Sequence, residues 1–185
     1  MSLSPYEQRK IDAARSRAAS VDPTRIPIQF DPRAKRMSGI ARHGRTPFDV
    51  PFISHIIGNL WQGGCENGLV LPEEIENIVS LYPWEQYVIQ HEVRSALSVV
   101  MYDDHAVSHH EVNSVANWTA ERMSLGPTLV HCQAGLNRSS LVAARVLMLT
   151  EGMTGAQAIA FLREKRSPAC LCNVTFEQYL LGLSE

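Results

Sequence analysis

Residues 131–139, His-Cys-Gln-Ala-Gly-Leu-Asn-Arg-Ser, constrain this chain more than any other segment, because of what lies on either side of them. Thr128-Leu129-Val130-His131 reads as a short buried strand. Ser139–Thr150 is apolar nearly all round (Leu141, Val142, Ala143, Ala144, Val146, Leu147, Met148, Leu149), the pattern of a helix buried at the centre of a fold. The loop Cys132–Arg138 therefore joins a strand end to a helix start. There the unpaired N–H groups of the first helical turn and the helix dipole favour an anion. Gly135 allows a positive φ or a close backbone approach, so the loop is suited to cradle an oxyanion with Gln133, Ala134, Gly135, Leu136 and Asn137.

The two ends of the loop carry the chemistry. Cys132 sits in the same positive potential, which favours the thiolate, the nucleophilic form of cysteine. Arg138 can fold back so that its planar fork donates two hydrogen bonds to one phosphate group, which lysine cannot match. Ser139 brings a hydroxyl beside the sulfur, able to stabilise it as a leaving group. His131 can orient the loop by hydrogen bonding.

The rest of the chain predicts an α/β fold. Short apolar segments at Ser54–Ile57, Asn77–Leu81, Ala96–Met101 and Thr128–His131 alternate with helical patterns, which implies a mostly parallel sheet flanked by helices. Val112, Val115, Ala116, Thr119 and Met123 mark one amphipathic helix. Thr154 and Gln157 form a capping box that opens another, with Ala158, Ile159 and Leu162 inside and Pro168 beyond its end. A last helix spans about Val174–Leu183. At 185 residues the chain has room for one domain and an appendage. We expect a basic, Pro-rich extension over 1–52 and a catalytic domain over 53–185. Ser4–Ala19 suits a short helix, whereas prolines and glycines punctuate Val21–Pro51 so often that neither helix nor interior strand is expected there.

The net charge of −2 hides an asymmetry: residues 1–50 carry ten of the 17 Lys and Arg and five of the 19 Asp and Glu, a net of +5 that leaves −7 on the rest. Such an arm can lie against its own domain or reach for an acidic partner. No stretch approaches the length of a membrane span and no secretory h-region is present, so a cytoplasmic location is expected. Nucleic acid is not an expected partner, though the basic arm leaves the question open. Cys65, Cys132, Cys170 and Cys172 read as thiols. No second pair completes zinc-finger spacing around Cys170 and Cys172, so no metal site is expected. His105, His109 and His110 read as surface histidines, and His91-Glu92 lacks the second histidine of a zinc-binding helix.

The Cys-x5-Arg spacing with its flanking His and Ser resembles the active-site signature of the protein tyrosine phosphatase superfamily. Ile57-Gly58-Asn59-Leu60-Trp61-Gln62-Gly63-Gly64 is similar to the N-terminal strand-turn of its dual-specificity branch, and Ile78-Val79-Ser80-Leu81 to the strand that follows. The resemblance covers about residues 53–184. It implies attack by Cys132 on a phosphate monoester, a phosphocysteine intermediate, and hydrolysis by water with no cofactor. It also implies a general acid on a loop about 30 residues before the cysteine, where Met101-Tyr102-Asp103-Asp104 supplies two candidates. The family's register favours Asp103, with Asp104 as the alternative, and it assigns Asn173 to support of the loop. The implied substrate is a phosphorylated protein, carrying phosphotyrosine and also phosphoserine or phosphothreonine. A phosphoinositide, nucleotide or RNA 5′-phosphate is the alternative, and a phosphate-binding module without turnover a third reading. The uncharged interior of the loop speaks against a polyphosphorylated ligand.

Overall fold

The computed structural model describes residues 25–27, 30–31, 36–37, 47–104, 106 and 108–183. β1 (Arg25–Pro27), β2 (Phe30–Asp31), β3 (Arg36–Met37) and β4 (Pro47–Asp49) form two small antiparallel ladders, β1 with β4 and β2 with β3. Every one of these strands is an edge. Pro27 faces Pro47 at the end of the first ladder, a place where a missing N–H is tolerated. The helix expected over Ser4–Ala19 lies outside the described residues.

The central sheet contains β5 (Ile53–Ile57), β6 (Leu60–Gly63), β7 (Asn77–Ser80), β8 (Ser95–Ser98) and β9 (Thr128–His131), in the order β5-β6-β9-β7-β8. β5 and β6 form an antiparallel hairpin, and the other neighbours run parallel. The sheet is thus mostly parallel, as expected. β6 is an additional strand. The strand expected over Ala96–Met101 leaves the ladder after Ser98, although Val99 N still donates to Ser80 O at 2.9 Å before the chain turns away.

Four helices follow from the sequence pattern. α1 (His109–Met123) is capped by Ser108, whose hydroxyl accepts from Glu111 N at 3.2 Å, and it buries Val112, Val115, Ala116 and Thr119. α2 (Arg138–Thr150) is the central helix, buried from Arg138 through Ala144 and again at Val146 and Leu147. α3 (Gly155–Lys165) opens on the Thr154–Gln157 capping box with both reciprocal bonds formed. α4 (Val174–Gly182) is capped by Asn173. Alternation along the strands divides the core. Leu60, Val79 and Val130 face the helices. Trp61, Ile78 and Leu129 face Cys65, Leu71, Ile75 and Tyr87 from the irregular connections on the other side. Each large side chain so buried contributes about 1.5–3 kcal/mol. No helix among the described residues is long and apolar enough to cross a membrane.

The parallel strands all end toward one edge. Gly63-Gly64 after β6, Leu81-Tyr82 after β7, Met101–Asp104 after β8 and Cys132 after β9 come together there, where open α/β sheets bind their ligands.

Candidate active site

β9 delivers Cys132 in register with its neighbour: Cys132 N donates to Gly63 O at 3.2 Å, and the residue is 2% exposed. Past it, the backbone carbonyls of the loop are taken by donors outside the loop. Gln133 O accepts from Cys65 N at 2.9 Å, and Leu136 O from Leu171 N at 2.8 Å. Gly135 O accepts from Arg166 Nε at 2.7 Å and from Gln62 Nε2 at 3.0 Å. In a trans peptide the C=O and the following N–H point in opposite directions, and no peptide here is cis. Carbonyls held outward therefore turn the N–H groups of Ala134, Leu136 and Asn137 inward. Gly135 N donates to Cys132 Sγ at 3.2 Å. The result is a concave set of N–H groups around the sulfur, the arrangement that binds an oxyanion.

Gly135 adopts φ +71°, and a Cβ there would run into the backbone of Gly63 and Gly64 and the Arg166 side chain. Glycine is required on both counts. The side chains of Gln133, Ala134, Leu136 and Asn137 are engaged away from the sulfur. Ala134 and Leu136 are buried in the core, and Gln133 Nε2 donates to Tyr82 Oη at 3.3 Å. Asn137 turns toward Asp103.

Arg138 opens α2 and is 8% exposed. Its Nη1 donates to Met101 O at 3.3 Å, and its guanidinium lies 4.9 Å from the centre of the Tyr82 ring. Its Nε is buried without a partner among the described residues. A buried cationic donor in that condition is costly unless an acceptor arrives. Ser139 Oγ lies 3.5 Å from Cys132 Sγ and 3.3 Å from Gln62 Nε2, as expected of a hydroxyl meant to meet the sulfur. His131 Nδ1 is 3.4 Å from Cys132 O, and its ring stands edge-on to Tyr87 at 5.2 Å. Burial lowers its pKa to about 4, so it is neutral at physiological pH.

The two candidate acids part company in space. Asp103 is half-buried against the loop, its Oδ2 accepting from Asn137 Nδ2 at 2.9 Å and its Oδ1 from Asn173 Nδ2 at 2.8 Å. Asp104 is exposed and lines a separate cleft of about 190 Å3 with Met101, Ser108, Glu111 and Phe176. Cys65, Cys170 and Cys172 are buried thiols outside any disulfide among the described residues, and burial raises all three thiol pKa values, that of Cys172 to about 12. His109 and His110 are exposed at the start of α1, whereas His105 lies outside the described residues.

Sequence reasoning missed the residues that hold the loop from behind. Arg166 is 7% exposed, and besides Gly135 O it donates to Ser54 Oγ at 2.9 Å, Gln62 O at 3.4 Å and Phe52 O at 3.4 Å. Burial lowers its pKa, yet a guanidinium stays charged in proteins. Gln62 is fully buried and also donates to Ser140 Oγ at 2.6 Å. Leu171 adopts φ +59°, a costly conformation for a γ-branched residue. Arg163 fixes it there, donating to Cys170 O at 3.1 Å and Leu171 O at 3.3 Å while pairing with Glu177 at 3.0 Å.

Residues 84–184 match the family described as the dual specificity phosphatase catalytic domain. Protein tyrosine phosphatase domain-containing protein 1 of Danio rerio is 39% identical over 67 residues, 33% of this chain. The chain spans 9% of the length of that relative. Among solved structures, a mouse protein crystallised as a dual specificity phosphatase with zinc tungstate superposes with a TM-score of 0.63 at 20% identity, over 72% of this chain and 87% of that one. Human DUSP28 gives 0.60 at 19% identity over 70% and 96%. The human tyrosine phosphatase-like serine/threonine/tyrosine-interacting protein gives 0.59 at 19% identity over 71% and 94%. The structural likeness takes in a larger share of the chain than the family match.

Proposed function

The chain belongs to the dual specificity phosphatase family, whose members are cysteine-dependent hydrolases, and on that premise we propose that it hydrolyses phosphotyrosine, phosphoserine and phosphothreonine monoesters of proteins through a phosphocysteine on Cys132. The thiolate attacks phosphorus as the ester P–O bond breaks, and Asp103 gives a proton to the leaving oxygen. Water then attacks the phosphocysteine with Asp103 as base, while Ser139 donates to the departing sulfur. Asp103 is favoured over Asp104 because its carboxylate is bonded to a residue of the loop itself.

One observation carries this reading: the loop presents inward N–H groups around Cys132 Sγ while the buried Nε of Arg138 is unpartnered. Those donors match the equatorial oxygens of a phosphoryl group in flight, where fixed hydrogen bonds contribute most. Tungstate in the mouse structure is a tetrahedral oxyanion, of the shape these donors would hold. The uncharged Gln133, Ala134, Leu136 and Asn137 suit a single phosphate rather than a polyphosphorylated headgroup.

The test is hydrolysis of an aryl phosphate and a phosphotyrosine peptide in the presence of a chelator. Wild type is expected to turn over and Cys132→Ser to fall to background. Full activity in Cys132→Ser would refute the mechanism. The same proposal includes a cytoplasmic location, since a nucleophilic thiol needs a reducing compartment to stay free. It also includes an acidic partner for the basic N-terminal arm, and a division into an extension over 1–52 and a catalytic domain over 53–185. Val50 and Phe52 at the end of that extension already join the body, Val50 in the core and Phe52 through its carbonyl.

A further inference from the structure

Asparagine is among the best helix N-caps, accepting a backbone N–H with its side chain. Asn137 occupies the N-cap of α2 and makes no such bond. Its side chain is used elsewhere. The carbonyl Oδ1 accepts from Asn173 N at 3.0 Å and from Cys172 Sγ at 3.1 Å, which leaves Nδ2 to donate to Asp103 Oδ2. Asn173 is arranged the same way. Its Oδ1 accepts from Thr175 N at 3.0 Å in capping α4, and its Nδ2 donates to Asp103 Oδ1 and, at 3.1 Å, to Asp104 O.

These bonds fix which way each amide points. Turning either one over would set an amide oxygen against the Asp103 carboxylate and an NH2 against backbone N–H groups. The two asparagines come from different elements, the catalytic loop and the α4 cap, and they converge on a carboxylate from a third, the segment after β8. The acid-bearing segment is thereby tied to the residue just before Arg138.

We propose that Asn137 and Asn173 form an amide clamp that positions Asp103 for proton transfer, so that the side chain of Asn137 serves the acid while its N–H faces the phosphate. The proposal rests on the reading of Asp103 as the general acid. In the first step the proton passes from Asp103 to the ester oxygen as its bond to phosphorus breaks and the S–P bond forms. The carboxylate left behind has both oxygens met by amide donors. In the second step it takes a proton from the attacking water as the S–P bond breaks.

A displaced acid matters most when the leaving group is poor. The experiment therefore compares kcat for 4-nitrophenyl phosphate with kcat for phenyl phosphate, whose phenolate is the poorer leaving group. Asn137→Asp and Asn173→Asp keep size and the accepting oxygen, including the α4 cap, and lose the donor. Asn137→Ser removes the donor without adding charge. All three are expected to raise the 4-nitrophenyl to phenyl ratio about 10-fold or more, part of the roughly 10²- to 10⁴-fold that a positioned acid supplies. Asp103→Asn should raise it further, and adding Asn137→Ser to Asp103→Asn should change it no more. An unchanged ratio in the asparagine variants with a raised one in Asp103→Asn overturns the clamp and leaves the acid standing. A ratio raised by the aspartate substitutions and not by Asn137→Ser overturns it too, as an effect of charge. An unchanged ratio in Asp103→Asn removes the acid reading on which the clamp depends. Thermal melts check that each variant folds, and loss of folding alone moves both substrates equally.

Discussion

His131 ends β9 one residue before Cys132, and 1% of its surface is exposed. It meets the Tyr87 ring on one side and the Cys132 carbonyl on the other, with no carboxylate among the causes of its shift. Burial favours the neutral ring and lowers its pKa from the ordinary 6.5 to about 4. An unfolded chain therefore binds this proton in a pH range where the folded one does not. The contribution is complete above pH 6.5 and is lost as pH falls toward 4, to a limit of about 3 kcal/mol. Urea unfolding at pH 7.5, 5.5 and 4.5 should show wild type losing stability through that window. His131→Phe, similar in size and without a proton to bind, should flatten the loss by about 2 kcal/mol. An equal slope in both proteins would assign the acid sensitivity elsewhere.

The loop and the β5–β6 hairpin behave as one element. Gly63, Gly64 and Gly135 pack backbone to backbone, and Gly64 N is held by Phe52 O at 2.7 Å. Gly135→Ala adds a methyl that meets the backbone of Gly63 and Gly64 and the hydrogen-bonded Arg166 guanidinium, at a positive φ that alanine disfavours. The N–H groups would shift relative to Sγ, and kcat on 4-nitrophenyl phosphate should fall about 100-fold or more, the usual cost of a misplacement near 1 Å. A kcat within threefold of wild type would mean that the loop tolerates another path. Much at this scale was legible in the sequence. α1 shows its period and α2 its nearly continuous apolar run, Thr154 and Gln157 announce a cap that forms with both bonds, and the strand-to-helix junction at Cys132 stands where its residues put it. β6 was not read as a strand of its own, because Leu60-Trp61-Gln62-Gly63 has an inward glutamine and a terminal glycine where a pattern would want apolar residues. Gln62 is there to hold Gly135 and Ser140, partners more than 70 positions away that no local window connects.

Arg166 extends the same lesson to the whole molecule. Two positions before a proline at the end of α3, it has the look of a surface cation favouring the helix C-terminus. In the fold it is buried, and its donors reach the entry segment at Phe52, β5 at Ser54, β6 at Gln62 and the catalytic loop at Gly135. Burial and shared acceptors, properties of the assembled chain, decide its role, so neither periodicity nor spacing could expose it. No carboxylate among the described residues pairs with it, and ionisation of the Cys132 thiol would favour its charge. The charge behind the loop thus complements both the attacking sulfur and the phosphate expected in front of it. Lysine would keep that charge and lose the planar fork that spans four acceptors. Arg166→Lys should destabilise the fold by about 2–4 kcal/mol, from carbonyls left unpartnered in the interior. The measurement is urea unfolding with and without inorganic phosphate. Phosphate should stabilise wild type by ligand linkage, and should stabilise Arg166→Lys less at the same concentration, because the Gly135 carbonyl is then held outward by Gln62 alone and the N–H groups of the loop are less firmly fixed. Equal stabilisation of the two proteins would show that Arg166 supports the fold without shaping the anion site.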